Sequence, residues 1–274
     1  MEYNLVDILL LCLAGAVGGF MSGLLGVGGG IIFIPILDYA FTQYGFPKDE
    51  IVKFILANSL FIIVFTGMMG SYKQYKANNF FPRYILYTAL PAIATALLCT
   101  WLIAQGTWYK KSIFNIVFIG MLAPLIIRML YTRKHVPDAT AADPAPYKFG
   151  LVGLVTGCFT AFSGLGGGMI MVPSFTDVLK VNIKKATSVS VGAVPLIALS
   201  LSASYFFATP LHAVSVPHLG YIVYTVAVPM AAGTLFTVGY GVKLAHRLPS
   251  SVIKTIFALF ALAVISKIII ENYA

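Results

Sequence analysis

The chain has 274 residues, of which 59% are hydrophobic and only 10% charged, against about 25% charged in an ordinary soluble domain. With a mean hydropathy of +0.91, a soluble enzyme is excluded and a polytopic membrane protein is expected. The net charge of +9 fits the lysine and arginine bias of membrane loops. No basic face lies on a soluble surface, so nucleic acid is not an expected partner.

In chain order, the N-terminal MEYNLVDILL lacks the basic region and small-residue cleavage site of a secretory signal. The first apolar block runs from about residue 4 to 46 and contains the cluster GLLGVGGG, with Gly26, Gly28, Gly29 and Gly30. As one straight helix it would reach about 65 Å, roughly twice the hydrocarbon thickness of a bilayer. The block must turn back, and the glycines are the place for the turn. Ordinary spans are predicted at about 51–72, 84–105 and 111–131. The stretch TRKHVPDATAADPAPY, 132–147, is polar, contains three prolines and lacks apolar periodicity. It reads as a linker between an N-terminal unit, 1–131, and a C-terminal unit, 148–274. The second unit opens with a block at 148–180 and continues with predicted spans at 184–208, 217–241 and 250–271.

The two units are related. GFMSGLLGVGGGIIFIP (Gly19 to Pro35) aligns without gaps on GCFTAFSGLGGGMIMVP (Gly157 to Pro173) at an offset of 138 residues. Gly15 and Gly153, and Pro91 and Pro229, match at the same offset. Several blocks at one offset indicate an internal duplication.

Charge tests the fold-back. If each glycine block is a hairpin, one side of the membrane holds Lys48, Lys53, Lys110, Lys111 and Lys267, and the other holds the remaining 13 lysines and arginines. If each block crosses once, the split is 8 against 10. The hairpin arrangement gives the clear bias that sets orientation. It places both termini outside and the linker in the cytoplasm. A hairpin plus three spans also inserts the two halves in opposite directions. The expected fold is therefore an all-α polytopic membrane protein of two inverted repeats, each a glycine-broken hairpin followed by three transmembrane helices. Broken helices in matching positions of inverted repeats point to a secondary transporter with a midplane site.

A helix break exposes unpaired N–H groups and a positive dipole end, which favour an anion. Gly28, Gly29 and Gly30 with Gly166, Gly167 and Gly168 are the candidate substrate-binding backbone. The alternative is close helix packing, which Gly15, Gly18, Gly19 and Gly23 suit well. The next span in each half opens with polar residues, Asn58 and Ser59 in one and Thr187, Ser188 and Ser190 in the other. They supply donors for a small oxyanion, and they equally suit ordinary interhelical hydrogen bonding. Lys53, Lys184 and Lys185 precede these groups and are expected to snorkel to the interface. Cys12, Cys99 and Cys158 read as buried small hydrophobes, and no His or Cys spacing fits a metal. There is no nucleophile–base constellation, so neither catalysis nor a cofactor is expected. The expected partners are a small anion and the lipid bilayer, with homo-oligomerisation left open.

The twin GxGGGxxxxP blocks, the Ala57-Asn58-Ser59 and Ala186-Thr187-Ser188 triplets and LAHRLP (Leu244 to Pro249) resemble the sulfite exporter TauE/SafE family of bacterial and plant membrane proteins. The resemblance covers nearly the whole chain. It implies transport, often export, of sulfur-containing anions such as sulfite, sulfoacetate or other organosulfonates across the inner (plasma) membrane, with binding where the two glycine breaks face each other. Asn58 stands where a threonine or glycine is common in the family, a departure that bears on which anion is carried.

Overall fold

A computed structural model of the chain describes residues 5–25, 28–131, 144–212, 214, 216–245, 247, 248 and 250–273. Gly26 and most of the expected linker, 132–143, lie outside the described residues. Ten α-helices are present among the described residues: α1 (Leu5–Leu25), α2 (Gly30–Gln43), α3 (Ile51–Lys76), α4 (Pro82–Ala104), α5 (Lys111–Tyr131), α6 (Pro146–Ser163), α7 (Gly168–Pro173), α8 (Ile183–Phe207), α9 (Tyr224–Ala245) and α10 (Ser250–Tyr273). The chain is an all-helical, multi-pass membrane protein. Six helices, α1, α3, α4, α5, α8 and α9, are long and apolar enough to cross a membrane.

Burial ranks these helices from centre to rim. In α3, 83% of the apolar window is buried inside the protein, against 28% in α1 and in α5. The outer helices instead expose Leu9, Leu13, Ile116 and Ile127. An apolar residue facing outward is what a lipid environment permits. α3 is therefore the axis of the bundle, with α8 packed along it.

The remaining packing crosses between the halves. α1 lies along α9 and α6 along α4; α3 also touches α9, and α8 touches α4; α5 meets α10. Under the 138-residue offset each of these contacts has its counterpart. The duplication is thus expressed in the packing and not only in the sequence.

Small residues make the closest of these contacts. A Cβ on Gly15, Gly19 or Gly23 of α1 would run into the backbone of Met230, Thr234 or Val238 of α9. From the other side, Gly233 and Gly241 meet the backbone of Cys12 and Phe20. On the second pair, Gly153 and Gly157 of α6 meet the backbone of Thr88 and Ala92 of α4. Within a membrane, where apolar burial gives no drive between helices, this close approach supplies the dispersion contact that holds them. Thr237 adds a hydrogen bond from its hydroxyl to the Ala16 carbonyl at 2.6 Å, and Thr95 bonds the Leu154 carbonyl at 3.0 Å.

One predicted span begins late. The sequence suggests a helix from 217, but α9 starts at Tyr224. The described residues between 208 and 223 are instead irregular, among them Pro210, Pro217 and Gly220 at φ 57°. Two buried polar residues hold them. Asn58 of α3 donates to the Tyr221 carbonyl at 3.0 Å and accepts from the Val223 N–H at 2.9 Å. Glu50, fully buried just before α3, accepts from the backbone N–H groups of Leu211 at 3.1 Å and His212 at 3.0 Å and from the Tyr221 hydroxyl. The His212 ring nitrogen Nδ1 lies 3.0 Å from the same carboxylate. Lys53, expected at the interface, is instead buried at 3% exposure, with its ammonium 5.9 Å from the centre of the Tyr221 ring. Tyr221 comes from 168 positions further along the chain, a neighbour that cannot be foreseen from local sequence.

Burial alone would raise the Glu50 pKa, but the donors from Tyr221, Leu211 and His212 outweigh it and hold the carboxyl below its ordinary value of 4.5. Its ionised form therefore favours the folded state at any pH above that ordinary value, and the contribution is lost as pH falls through the lowered one.

Two outcomes follow in detergent-solubilised protein. Gly19→Leu forces atoms into the α9 backbone and lowers the melting temperature measured by fluorescence-detected size exclusion, whereas Gly120→Leu, at a position with nothing within 4 Å, leaves it unchanged. Glu50→Gln melts lower at pH 7 and loses less stability than the wild type when the pH is taken below the carboxylate range.

Candidate functional site

The two glycine clusters are breaks, and they share one backbone geometry. Gly28 and Gly29 have φ of 87° and 82°; their counterparts Gly166 and Gly167 have 78° and 75°. Side chains of L-residues are strained in this left-handed region, so glycine is required at all four positions. α2 then starts at Gly30 and α7 at Gly168, and no side chain caps either helix. The carbonyl of Gly29 accepts from Ile32 and Phe33, and that of Gly167 from Ile170 and Met171. The first N–H groups of a helix have no partner within it.

Each break turns the chain back on itself. Gly18 of α1 faces the ring of Phe33 in α2, and Gly29 lies against Ser22 of α1. In the second half Gly167 lies against Thr156 and Thr160 of α6. The continuations differ. Pro35 is accommodated inside α2, which runs to Gln43. After Pro173, by contrast, the chain passes into a single π turn, Ser174–Val178. Arg128 of α5 donates there to the Pro173 carbonyl at 3.2 Å and pairs with Asp177.

The two breaks meet. A Cβ on Gly30 would lie 2.7 Å from the Leu165 Cα and 2.9 Å from the Gly164 carbonyl oxygen. One on Gly28 would lie 3.7 Å from the Leu165 carbonyl oxygen. Both Gly28 and Gly166 pack between Ile63 of α3 and Val194 of α8. Segments about 138 residues apart in sequence are thus in backbone contact on the axis of the bundle.

α3 ties both breaks down. Ser59 donates to the Gly164 carbonyl at 3.0 Å, and Thr66 donates to the Gly28 carbonyl at 3.2 Å. Seven residues apart, they lie two turns apart on one helix face. Ser59 was among the residues singled out from sequence. Thr66 was not, although its spacing from Ser59 was the available signal. The other singled-out residues divide. Asn58 commits its amide to Phe54, Tyr221 and Val223. Thr187, half-buried, bonds its own helix at the Ile183 carbonyl, and Ser188 bonds the Asn79 carbonyl. Ser190 is fully buried and its hydroxyl has no partner among the described residues. It lies one turn before Val194, on the same face of α8.

A cavity of about 40 Å³ opens beside the first break, room for about three water molecules. Its polar lining is Ser22, Thr66 and the backbone of Gly28; Gly67, Val194 and Val238 form much of the rest. Among the described residues there is no cluster of His, Cys, Asp or Glu suited to a metal, and Cys12, Cys99 and Cys158 are free thiols, each only partly buried.

Comparisons with known proteins place this architecture. The chain is 28% identical over 262 residues to a probable membrane transporter protein of Haemophilus influenzae, covering 94% of this chain and 96% of that protein. It is 24% identical over 253 residues to a probable membrane transporter protein of Methanocaldococcus jannaschii, covering 90% of each. A third such protein, from Bacillus subtilis, is 21% identical over 287 residues, covering 97% of this chain and 99% of that protein. No solved structure matches. The family model for the sulfite exporter TauE/SafE matches residues 11–268. With almost its whole length matched, the chain belongs to the sulfite exporter TauE/SafE family of membrane transporters.

Proposed function

We propose that this transporter carries small sulfur-containing anions, such as sulfite, sulfoacetate or other organosulfonates, outward across the inner membrane. The observation that carries this reading is the backbone contact between the two glycine breaks on the bundle axis. The anion sits at that junction, held by N–H groups at Gly28, Gly29 and Gly30 from one side and at Gly166, Gly167 and Gly168 from the other. The dipoles of the helices that start there favour negative charge. Ser59 and Thr66 orient the two breaks through their carbonyls. The Ser190 hydroxyl, buried and without a partner among the described residues, is a donor available to an anion. Asn58, Thr187 and Ser188 support the surrounding helices.

In this reading the two halves are inserted in opposite directions, both termini lie outside and the linker is cytoplasmic. Alternating access comes from one half moving against the other about the junction. Export needs no further coupling, because an anion leaving an inside-negative cell gains about 2.3 kcal/mol per charge for each 100 mV.

The test is flux from proteoliposomes loaded with sulfite, sulfoacetate, taurine or acetate. Sulfite and sulfoacetate are expected to leave faster than acetate; equal rates for acetate would remove the sulfur preference. Gly29→Val and Gly167→Val are expected to abolish flux while the protein still inserts and runs as a single species. Unchanged flux in both would return the glycines to a packing role. The topology is checked separately: a cysteine placed at Ala139 in a cysteine-free background is expected to react with an impermeant maleimide only from the cytoplasmic side.

A further inference from the structure

The last helix of each half carries one basic residue at the same place. KSIFNIVF at the start of α5 (Lys111 to Phe118) aligns on SSVIKTIF at the start of α10 (Ser250 to Phe257) at an offset of 139 residues, which makes Lys267 the counterpart of Arg128. Each of these helices packs on the hairpin of the other half, α5 on α6, and α10 on α1 and α2. A basic group within a membrane span is costly unless it has a partner or a task.

The two residues make the same bond. Arg128 donates to the Pro173 carbonyl at 3.2 Å, and Lys267 donates to the Pro35 carbonyl at 3.3 Å. Pro35 and Pro173 are themselves counterparts at the 138-residue offset. The next neighbour of each cation also comes from one aligned position, Asp177 in one half and Tyr39 in the other. Arg128 pairs with Asp177, and the Lys267 ammonium lies 5.7 Å from the centre of the Tyr39 ring. Beyond the prolines the chain paths differ, but the cation on the proline carbonyl is common to both.

Both bonds cross between the halves, and they attach at one place on each arm. Pro35 lies five residues after Gly30, where α2 starts, and Pro173 lies five after Gly168, where α7 starts. At 1.5 Å per residue, the attachment is about 7.5 Å along the helix from the N–H groups of the break. A carbonyl that accepts from a cation makes a charge-assisted hydrogen bond, stronger than a neutral one. In the arrangement read from charge, Arg128 is near the cytoplasmic end of α5 and Lys267 is toward the outer end of α10. One attachment thus lies on each side of the junction.

We propose that Arg128 and Lys267 are matched positioning residues: each holds the arm that leaves one glycine break, Arg128 on the cytoplasmic side and Lys267 on the outer side, and release of one or the other decides the side to which the junction opens. The inference rests on the reading of the protein as an alternating-access anion transporter. Both bonds are made in this structure, so both arms are held. Opening toward the cytoplasm parts the Pro173 carbonyl from Arg128 while Lys267 keeps Pro35. Opening outward does the reverse. Inverted repeats supply such a pair naturally, because one interaction written into both halves comes out on opposite faces of the membrane. Neither residue needs to touch the anion.

The experiment is cysteine labelling of the full chain in lipid vesicles, in a cysteine-free background. The reporters are Val238→Cys and Thr100→Cys, aligned positions in α9 and α4 that are each 2% exposed. In this reading they lie on the cytoplasmic and the outer side of the junction. An impermeant trimethylammonium methanethiosulfonate is added from the matching side. Arg128→Gln is expected to speed labelling at 238 and slow it at 100, and Lys267→Gln to do the opposite, each by about tenfold, the worth of one hydrogen bond to a charged group. Arg128→Lys and Lys267→Arg keep a cationic donor and are expected to stay within about twofold of the parent. A merely structural role would move both reporters in the same direction in both variants. That result, no change in either, or the reversed pattern overturns the proposal. Sulfite flux is measured on the same vesicles. The expected opposite shifts without flux in the parent would overturn the transport reading and leave the positioning role standing. Parent flux with shifts that are absent or alike would do the reverse.

Discussion

A hydrocarbon environment offers no water to a freed peptide group, so a helix broken there must find its partners within the protein. The structure is organised around that requirement. Two breaks, each with left-handed glycines at matching positions, are set against each other at the centre of the bundle. Ser59 and Thr66, on one face of the most buried helix, take up a carbonyl from each. The first N–H groups of α2 and α7 have no partner within their own helices, and in the proposed function they are the donors that meet the anion.

The outer packing follows from the same arrangement. To bring the two breaks together, each hairpin must cross into the territory of the other half, so α1 lies along α9 and α6 along α4. Glycines at four-residue intervals allow those pairs to approach at backbone distance, and Thr237 and Thr95 each add a hydrogen bond across the seam. At the start of α3 the buried Glu50 and Asn58 bind the backbone of Leu211, His212, Tyr221 and Val223, which precede α9. The glycines thus divide between two tasks. Gly15, Gly19, Gly23, Gly153 and Gly157 serve packing, while Gly28, Gly29, Gly166 and Gly167 serve the turn.

Much of this was legible in the sequence because its causes are local. A 43-residue apolar block cannot cross a bilayer once, and four glycines in it mark where it breaks. The boundaries of α3, α4, α5, α8 and α10 come within a few residues of those expected from apolar length. What stayed hidden depends on partners distant in the chain. Small-residue spacing shows which face of α1 packs, but not that α9 receives it. Asn58 suited a substrate and interhelical hydrogen bonding equally, because its amide partners, at 221 and 223, lie some 165 residues away. Lys53 looked interfacial for the same reason. Pro35 and Pro173 align at the 138-residue offset, yet Pro35 continues α2 while Pro173 precedes a π turn, with Arg128 bonded to its carbonyl. The halves share a sequence pattern at the breaks and diverge immediately after them.

The central claim is that the junction of the two breaks holds the transported anion. Selenite, a heavier analogue of sulfite, makes it directly visible. An anomalous difference map from crystals of the full chain grown with selenite is expected to show a peak between Gly28–Gly30 and Gly164–Gly168. A fully occupied selenite elsewhere in the bundle, with that junction empty, would contradict the account.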